Sequence, residues 1–222
     1  MKFFYLLSAF MFLWLFPVIS FSNPFPFLKS MKMGQIEIHY PGAGCKVKNS
    51  LVSQEEQLLV LECTLQKGDK TPYRIYFSPG PSEDPVFIIH KKTKPEWTNL
   101  ATLSGKKLYI LGNGTLFTSG HTNNMFDMRR KYQVGKDSIT EVLQPFYYVG
   151  VKSKTLRPAV LYRSQEMKEI IAHLPKNYAV EILLNQGEFY LVKTTFGLTG
   201  WLRLSGDQRE NRVFSEIFFA GD

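Results

Sequence analysis

The chain has 222 residues, of which 44% are apolar and 21% charged, with a formal net charge of +8. That balance supports a folded core and excludes intrinsic disorder as the default state. The content of two cysteines and four histidines leaves little for a metal-rich or disulfide-dense architecture.

The N-terminus reads as an export signal. Lys2 precedes an uncharged, largely apolar run of 19 residues, Phe3–Phe21, and Ser20-Phe21-Ser22 puts small residues where a signal peptidase cuts. Residues 1–22 are therefore expected to be removed after Ser22. The run exceeds the usual signal core of about 7–15 residues and nearly reaches the ~20 needed to span a bilayer, so an uncleaved anchor is the alternative. Past residue 22 the apolar runs are strand-sized, and no further membrane span is expected. Without Lys2 the net charge is +7. That charge suits anionic partners such as lipid headgroups or wall polymers, and it equally suits solubility alone. Export argues against nucleic acid.

Residues 23–33, with Asn23-Pro24-Phe25-Pro26-Phe27-Leu28, read as a linker. Short strands and turns follow. Gln35–Tyr40 alternates, and Pro41-Gly42-Ala43-Gly44 is a turn. Gln57–Leu65, Tyr73–Phe77 and Val86–His90 are further strands, and Lys91-Lys92-Thr93-Lys94-Pro95 is a basic loop. Gly112-Asn113-Gly114 joins Lys107–Leu111 to Thr115–Thr118 as a hairpin, because Asn-Gly accepts positive φ. Met125–Val134 and Ser138–Leu143 form a second hairpin about Gly135-Lys136-Asp137, and Phe146–Val151 is an aromatic strand. Residues 34–151 thus predict a β-rich domain, with a junction near Lys152–Arg157. Cys45 and Cys63, an isolated pair in an exported chain, are expected to form a disulfide, with two buried thiols as the alternative.

The last third carries a pattern. Leu161-Tyr162-Arg163-Ser164, Ile170–Leu174 with its turn Pro175-Lys176-Asn177, Val180–Leu184, Phe189-Tyr190-Leu191-Val192 and Gly197-Leu198-Thr199-Gly200-Trp201-Leu202 follow one another over residues 155–205. This succession resembles the bacterial SH3 domain family, whose Gly-x-x-Gly-Trp-Val element the last segment matches most closely. Asn177 stands where the family usually has glycine, and Phe189 where it usually has tryptophan. Asn tolerates positive φ, so the turn is kept. The resemblance implies a small SH3-like β-barrel and a ligand groove built by Tyr162, Phe189, Tyr190 and Trp201. The apolar residues Val213, Phe214 and Ile217-Phe218-Phe219 of the tail, 206–222, are expected to pack back on the domains.

Chemistry is sparse. The resemblance raises a cysteine-peptidase reading for Cys45, which lacks a following helix and loses its thiol in a disulfide. His39, His90, His121 and His173 lack metal-ligand spacing. Asp127 and Glu141 are the weakest candidates for paired carboxylates. His121–Tyr132, with Arg129-Arg130-Lys131, is a possible anion contact or a strand with solvated alternate residues. The expectation is an all-β, non-enzymatic protein without cofactor or metal, exported to the periplasm or beyond. It would bind peptidoglycan or another envelope polymer or protein. The alternatives are an envelope scaffold and a wall hydrolase with an unrecognised site.

Overall fold

A computed structural model describes residues 24–52, 57–80, 84–121, 126–204 and 212–217. The expected signal, residues 1–22, lies outside the described residues, as do Thr122–Met125 of the basic stretch and Phe218-Phe219 of the tail. Among the described residues all regular structure is β, in seventeen strands, and no helix is long and apolar enough to cross a membrane.

Three sheets account for the strands. The first contains β1 (Lys29–Met33), β2 (Ile36–Tyr40), β8 (Lys107–Ile110), β9 (Thr115–Gly120), β10 (Met128–Val134) and β11 (Ile139–Glu141), adjacent in that order. The second is a meander of β3 (Cys45–Val52), β4 (Gln57–Cys63), β5 (Tyr73–Ser78), β6 (Val86–Thr93) and β7 (Glu96–Ser104). The third comprises β12 (Tyr147–Lys154), β13 (Ala159–Tyr162), β14 (Ile170–Leu174), β15 (Ala179–Gln186), β16 (Phe189–Thr194) and β17 (Thr199–Arg203), in the order β12-β15-β16-β17-β13-β14. Only β2 and β8 run parallel among the described pairs, because the whole second sheet is inserted between them in sequence.

The first two sheets pack face to face over one core. Alternation sends Ile36, Ile38, Leu108, Ile110 and Leu116 inward from one side and Tyr73, Ile75, Phe87, Ile89 and Leu103 from the other. Cys45 and Cys63 lie opposite each other on β3 and β4 and are disulfide-bonded, with Cα atoms 4.1 Å apart. The bond spans 17 intervening residues and is worth ~3 kcal/mol by restricting the unfolded chain. Part of the segment read as a linker is ordered here: Lys29–Met33 is β1, and the Phe25 ring stacks on Phe117 at 5.2 Å and meets Tyr109 edge-on at 5.5 Å. The basic run Lys91–Thr93 belongs to β6 and turns through Lys94-Pro95 into β7. There Trp97 lies against Arg74 and Lys92, at 4.2 and 5.2 Å.

The third sheet has its own core of Val149, Leu161, Leu174, Val180, Ile182, Tyr190, Val192 and Leu202, joined by Phe126 and by Val213, Phe214 and Ile217 of the tail. The aromatic strand β12 pairs with β15, so it completes this sheet rather than the preceding two. Thr155 ties the unit together. Its backbone N–H donates to Tyr178 O, its hydroxyl donates to Pro175 O and accepts from Tyr178 N–H, and it bridges to Phe214. Glu166–His173, whose spacing is ambiguous between helix and strand, forms a turn followed by β14. Asn177 takes a φ of 64° in the β14–β15 turn. At Gly200 a Cβ would stand 2.7 Å from Leu161 Cβ, so only glycine lets β17 approach β13 this closely.

Candidate functional site

Strand alternation splits the aromatic residues of the third sheet between two faces. On β16, Tyr190 and Val192 point into the core while Phe189 and Leu191 point out. On β17, Gly200 and Leu202 are inside and Trp201 and Arg203 outside, and on β13 Leu161 is inside and Tyr162 outside. The structure therefore brings Tyr162, Trp201 and Phe189 to one surface and sends Tyr190 to the other, where it is 6% exposed. Burial pushes the Tyr190 hydroxyl up to about 12, as expected for a phenol whose ionised form loses water.

Register aligns the outward residues. Tyr148 of β12 stands opposite Leu184 of β15, Leu184 opposite Leu191 of β16, and Leu191 opposite Trp201 of β17. Trp201 in turn faces Tyr162 of β13, and Tyr162 faces Ile170 of β14. One apolar row thus crosses all six strands, a path of about 24 Å at ~4.8 Å per strand. Its ends are open to solvent: Tyr148 and Ile170 are each 53% exposed. Phe146, 41% exposed, sets its ring 6.0 Å from Trp201 and adds a further wall.

Polar rows flank it. On one side Glu181 and Lys193 pair across β15 and β16 at 3.1 Å. On the other, Phe189 faces Arg203, whose guanidinium lies 5.9 Å from the ring and is held by Glu188 at 2.7 Å. These exposed ion pairs contribute little stability, but they give the apolar row a charged rim that can orient a ligand.

The other sequence candidates are dispersed. Cys45 is disulfide-bonded and offers no thiolate. Glu141 accepts a hydrogen bond from the Tyr147 hydroxyl at 2.7 Å and lies 3.8 Å from Arg130 Nε, so it ties β11 to the start of β12. Asp127 is exposed. Arg129 lies 5.2 Å from the Tyr148 ring, at the end of the apolar row. His39 is buried on β2, stacked on Tyr109 at 4.4 Å with Nε2 3.0 Å from Glu37. His90 lies beside Tyr76 on the second sheet, and His173 is exposed on β14. Among the described residues no three His, Cys, Asp or Glu side chains gather as a metal site would require.

The residues missed from sequence are Leu191, Leu184, Tyr148, Ile170 and Phe146. Alternation within Phe189–Val192 was signal enough for Leu191. Leu184, Tyr148 and Ile170 join the row only through cross-strand register, and Phe146 only through its ring contact with Trp201, neither of which a local pattern encodes. No family model matches the chain, and no curated protein or solved structure matches it.

Proposed function

We propose that the protein is an exported, non-enzymatic binding protein of the bacterial cell envelope, whose third sheet is an SH3-like unit that binds peptidoglycan or its stem peptides. The observation that carries this reading is the outward apolar row Leu191–Trp201–Tyr162, left open at both ends and rimmed by ion pairs. Aromatic side chains in such a row offer large contact area at low entropic cost, and they stack on sugar rings and peptide planes. Support for the SH3-like assignment comes from β13–β17, which fall on the segments that carry the resemblance, with Asn177 at positive φ and Gly200 at the close strand approach. Support for export comes from the Cys45–Cys63 disulfide, which suits an oxidising compartment. The net charge of +7 left without Lys2 favours encounter with anionic wall polymers.

The test is co-sedimentation with purified peptidoglycan. Tyr162→Ala and Phe189→Ala should each weaken retention about tenfold, the scale of a contact worth ~1.4 kcal/mol, with unchanged melting temperature. Retention that disappears in 0.5 M salt yet ignores both substitutions would assign binding to charge alone and refute the groove.

A second reading, an envelope scaffold that binds another protein, draws on Leu143 and Phe196, which are 79% and 85% exposed. Apolar surface of that kind is typical of protein contacts. Absence of any sedimentation at low salt would favour it.

A further inference from the structure

The apolar row of the third sheet ends at a cation that the first sheet supplies. Arg129 stands on β10 opposite Ser119 of β9, and its guanidinium carbon lies 5.2 Å from the centre of the Tyr148 ring. The Gln144 side chain donates to Arg129 O at 2.8 Å and holds this backbone from the other side. The Tyr148 ring is itself placed by glycine. Strand β12 is irregular between Tyr148 and Val151, and Gly150 takes a φ of 65° there. A Cβ at Gly150 would collide with the Tyr148 ring, so only glycine lets the ring lie across the strand at this point. The ring meets both Gly150 and Arg129 and is still 53% exposed. Two residues earlier Phe146 meets Trp201, so the segment before β12 carries the aromatic surface from Trp201 toward the cation. Arg129, Gln144 and Tyr148 all lie outside residues 155–205, the segment that carries the SH3 resemblance.

Ion pairing sets Arg129 apart from most cations around the row. Arg163, Lys168, Lys193 and Arg203 each lie within 3.1 Å of a carboxylate, those of Glu169, Glu166, Glu181 and Glu188. Arg129 is exposed, and among the described residues no carboxylate, Asp127 included, lies within ion-pair distance of it. A guanidinium that rests its face on an aromatic ring keeps its in-plane N–H donors for an acceptor, and that fork matches the paired oxygens of a carboxylate. Lys152 of β12 has no ion pair either, but it stands opposite Glu181, whose charge repels a ligand carboxylate.

We propose that Arg129 is a carboxylate subsite of the row: a bound peptide lays its apolar surface on Trp201, Phe146 and Tyr148 and sets its terminal carboxylate on the Arg129 guanidinium. This rests on the reading of the row as a ligand surface. It adds a direction to that surface, with the carboxylate end of the ligand toward the first sheet.

Titration of the purified protein tests it, with a disaccharide tetrapeptide released from peptidoglycan and the same molecule amidated at its C-terminal carboxylate as probes. The acid should bind about fivefold tighter than the amide, the scale of an exposed bidentate pair. Arg129→Gln should weaken the acid alone and bring the two probes within about twofold of each other. Lys152→Gln should leave the preference unchanged. Gly150→Ala, which displaces the Tyr148 ring, should weaken both probes. In NMR spectra the Arg129 Nε–H resonance should move on addition of the acid and stay in place with the amide. The proposal is overturned if Arg129→Gln leaves the preference intact, or if Lys152→Gln removes it. Equal binding of acid and amide that Tyr162→Ala still weakens overturns the Arg129 subsite and leaves the row reading in place. Binding of neither probe overturns both. Should Gly150→Ala not fold, the Arg129 and Lys152 variants still decide the outcome.

Discussion

Two aromatic rows on outward sheet faces meet different fates in this molecule. On the first sheet His39, Tyr109 and Phe117 align across β2, β8 and β9. Phe25 closes over that row, and Tyr109 and His39 end 9% and 2% exposed. On the third sheet the row through Leu191, Trp201 and Tyr162 is met by Phe146 at Trp201 and by Arg129 at Tyr148, and its ends stay half open. An aromatic row covered by its own chain is an extension of the core, whereas one left open carries an apolar surface that function has to justify.

The largest effect should come from the third unit's dependence on its tail. Phe214 is 1% exposed in that core, so Phe214→Ala should cost about 3–5 kcal/mol in urea unfolding. A loss below 1 kcal/mol would mean that the tail only rests on the sheet. Reduction of Cys45–Cys63 should lower stability by ~3 kcal/mol. If the two regions are independent, that loss appears in the unfolding of the first two sheets and spares the binding proposed for the third. Loss of binding upon reduction, under conditions where the third sheet remains folded, would break the separation.

Titration separates the regions further. Tyr190 ionises near 12 when folded and near 10 when unfolded. Its contribution is therefore complete below pH 10 and is lost as pH rises to 12, an effect of about 2–3 kcal/mol. Tyr190→Phe should flatten the alkaline limb of a stability–pH curve; an unchanged limb would place the sensitivity in other groups. His39 has the opposite sense. Burial is the main cause of its lowered value, with Lys107 and Lys32 acting in the same direction and Glu37 opposing. Its contribution is present above pH 6.5 and is lost as pH falls through the lower folded value, so acid should weaken the first region. Smallest of all, Phe25→Ala should cost about 1–2 kcal/mol and raise fluorescent-dye binding by uncovering Tyr109 and Phe117. Unchanged dye binding would show that another segment covers the row.

The parts of this arrangement that local chemistry dictates were legible in the sequence. Gly112-Asn113-Gly114 and Gly135-Lys136-Asp137 mark hairpins, and β8–β9 and β10–β11 lie where they predict, with Gly112 and Gly114 of the first turn at φ 78° and 84°. The all-β class and the disulfide follow from similarly short-range evidence. What escaped was long-range. The parallel β2–β8 pair joins residues separated by a whole sheet, and β12 could have been completed by either neighbour on its own pattern. Strand β7 was missed because only Leu103 of Glu96–Ser104 is buried, which leaves almost no alternation to read. For the candidate site, Tyr162, Phe189 and Trp201 were legible as aromatics on strands. The inward turn of Tyr190 follows from alternation with Phe189, but the full row requires register across six strands.

Amide chemical-shift mapping with soluble peptidoglycan fragments tests the contrast between the covered and open rows most directly. The account predicts saturable shifts centred on Leu191, Trp201 and Tyr162 and their strand neighbours, with Tyr109 and Phe117 unmoved. Shifts centred on the first sheet, or spread over surface lysines and abolished by salt, would contradict it.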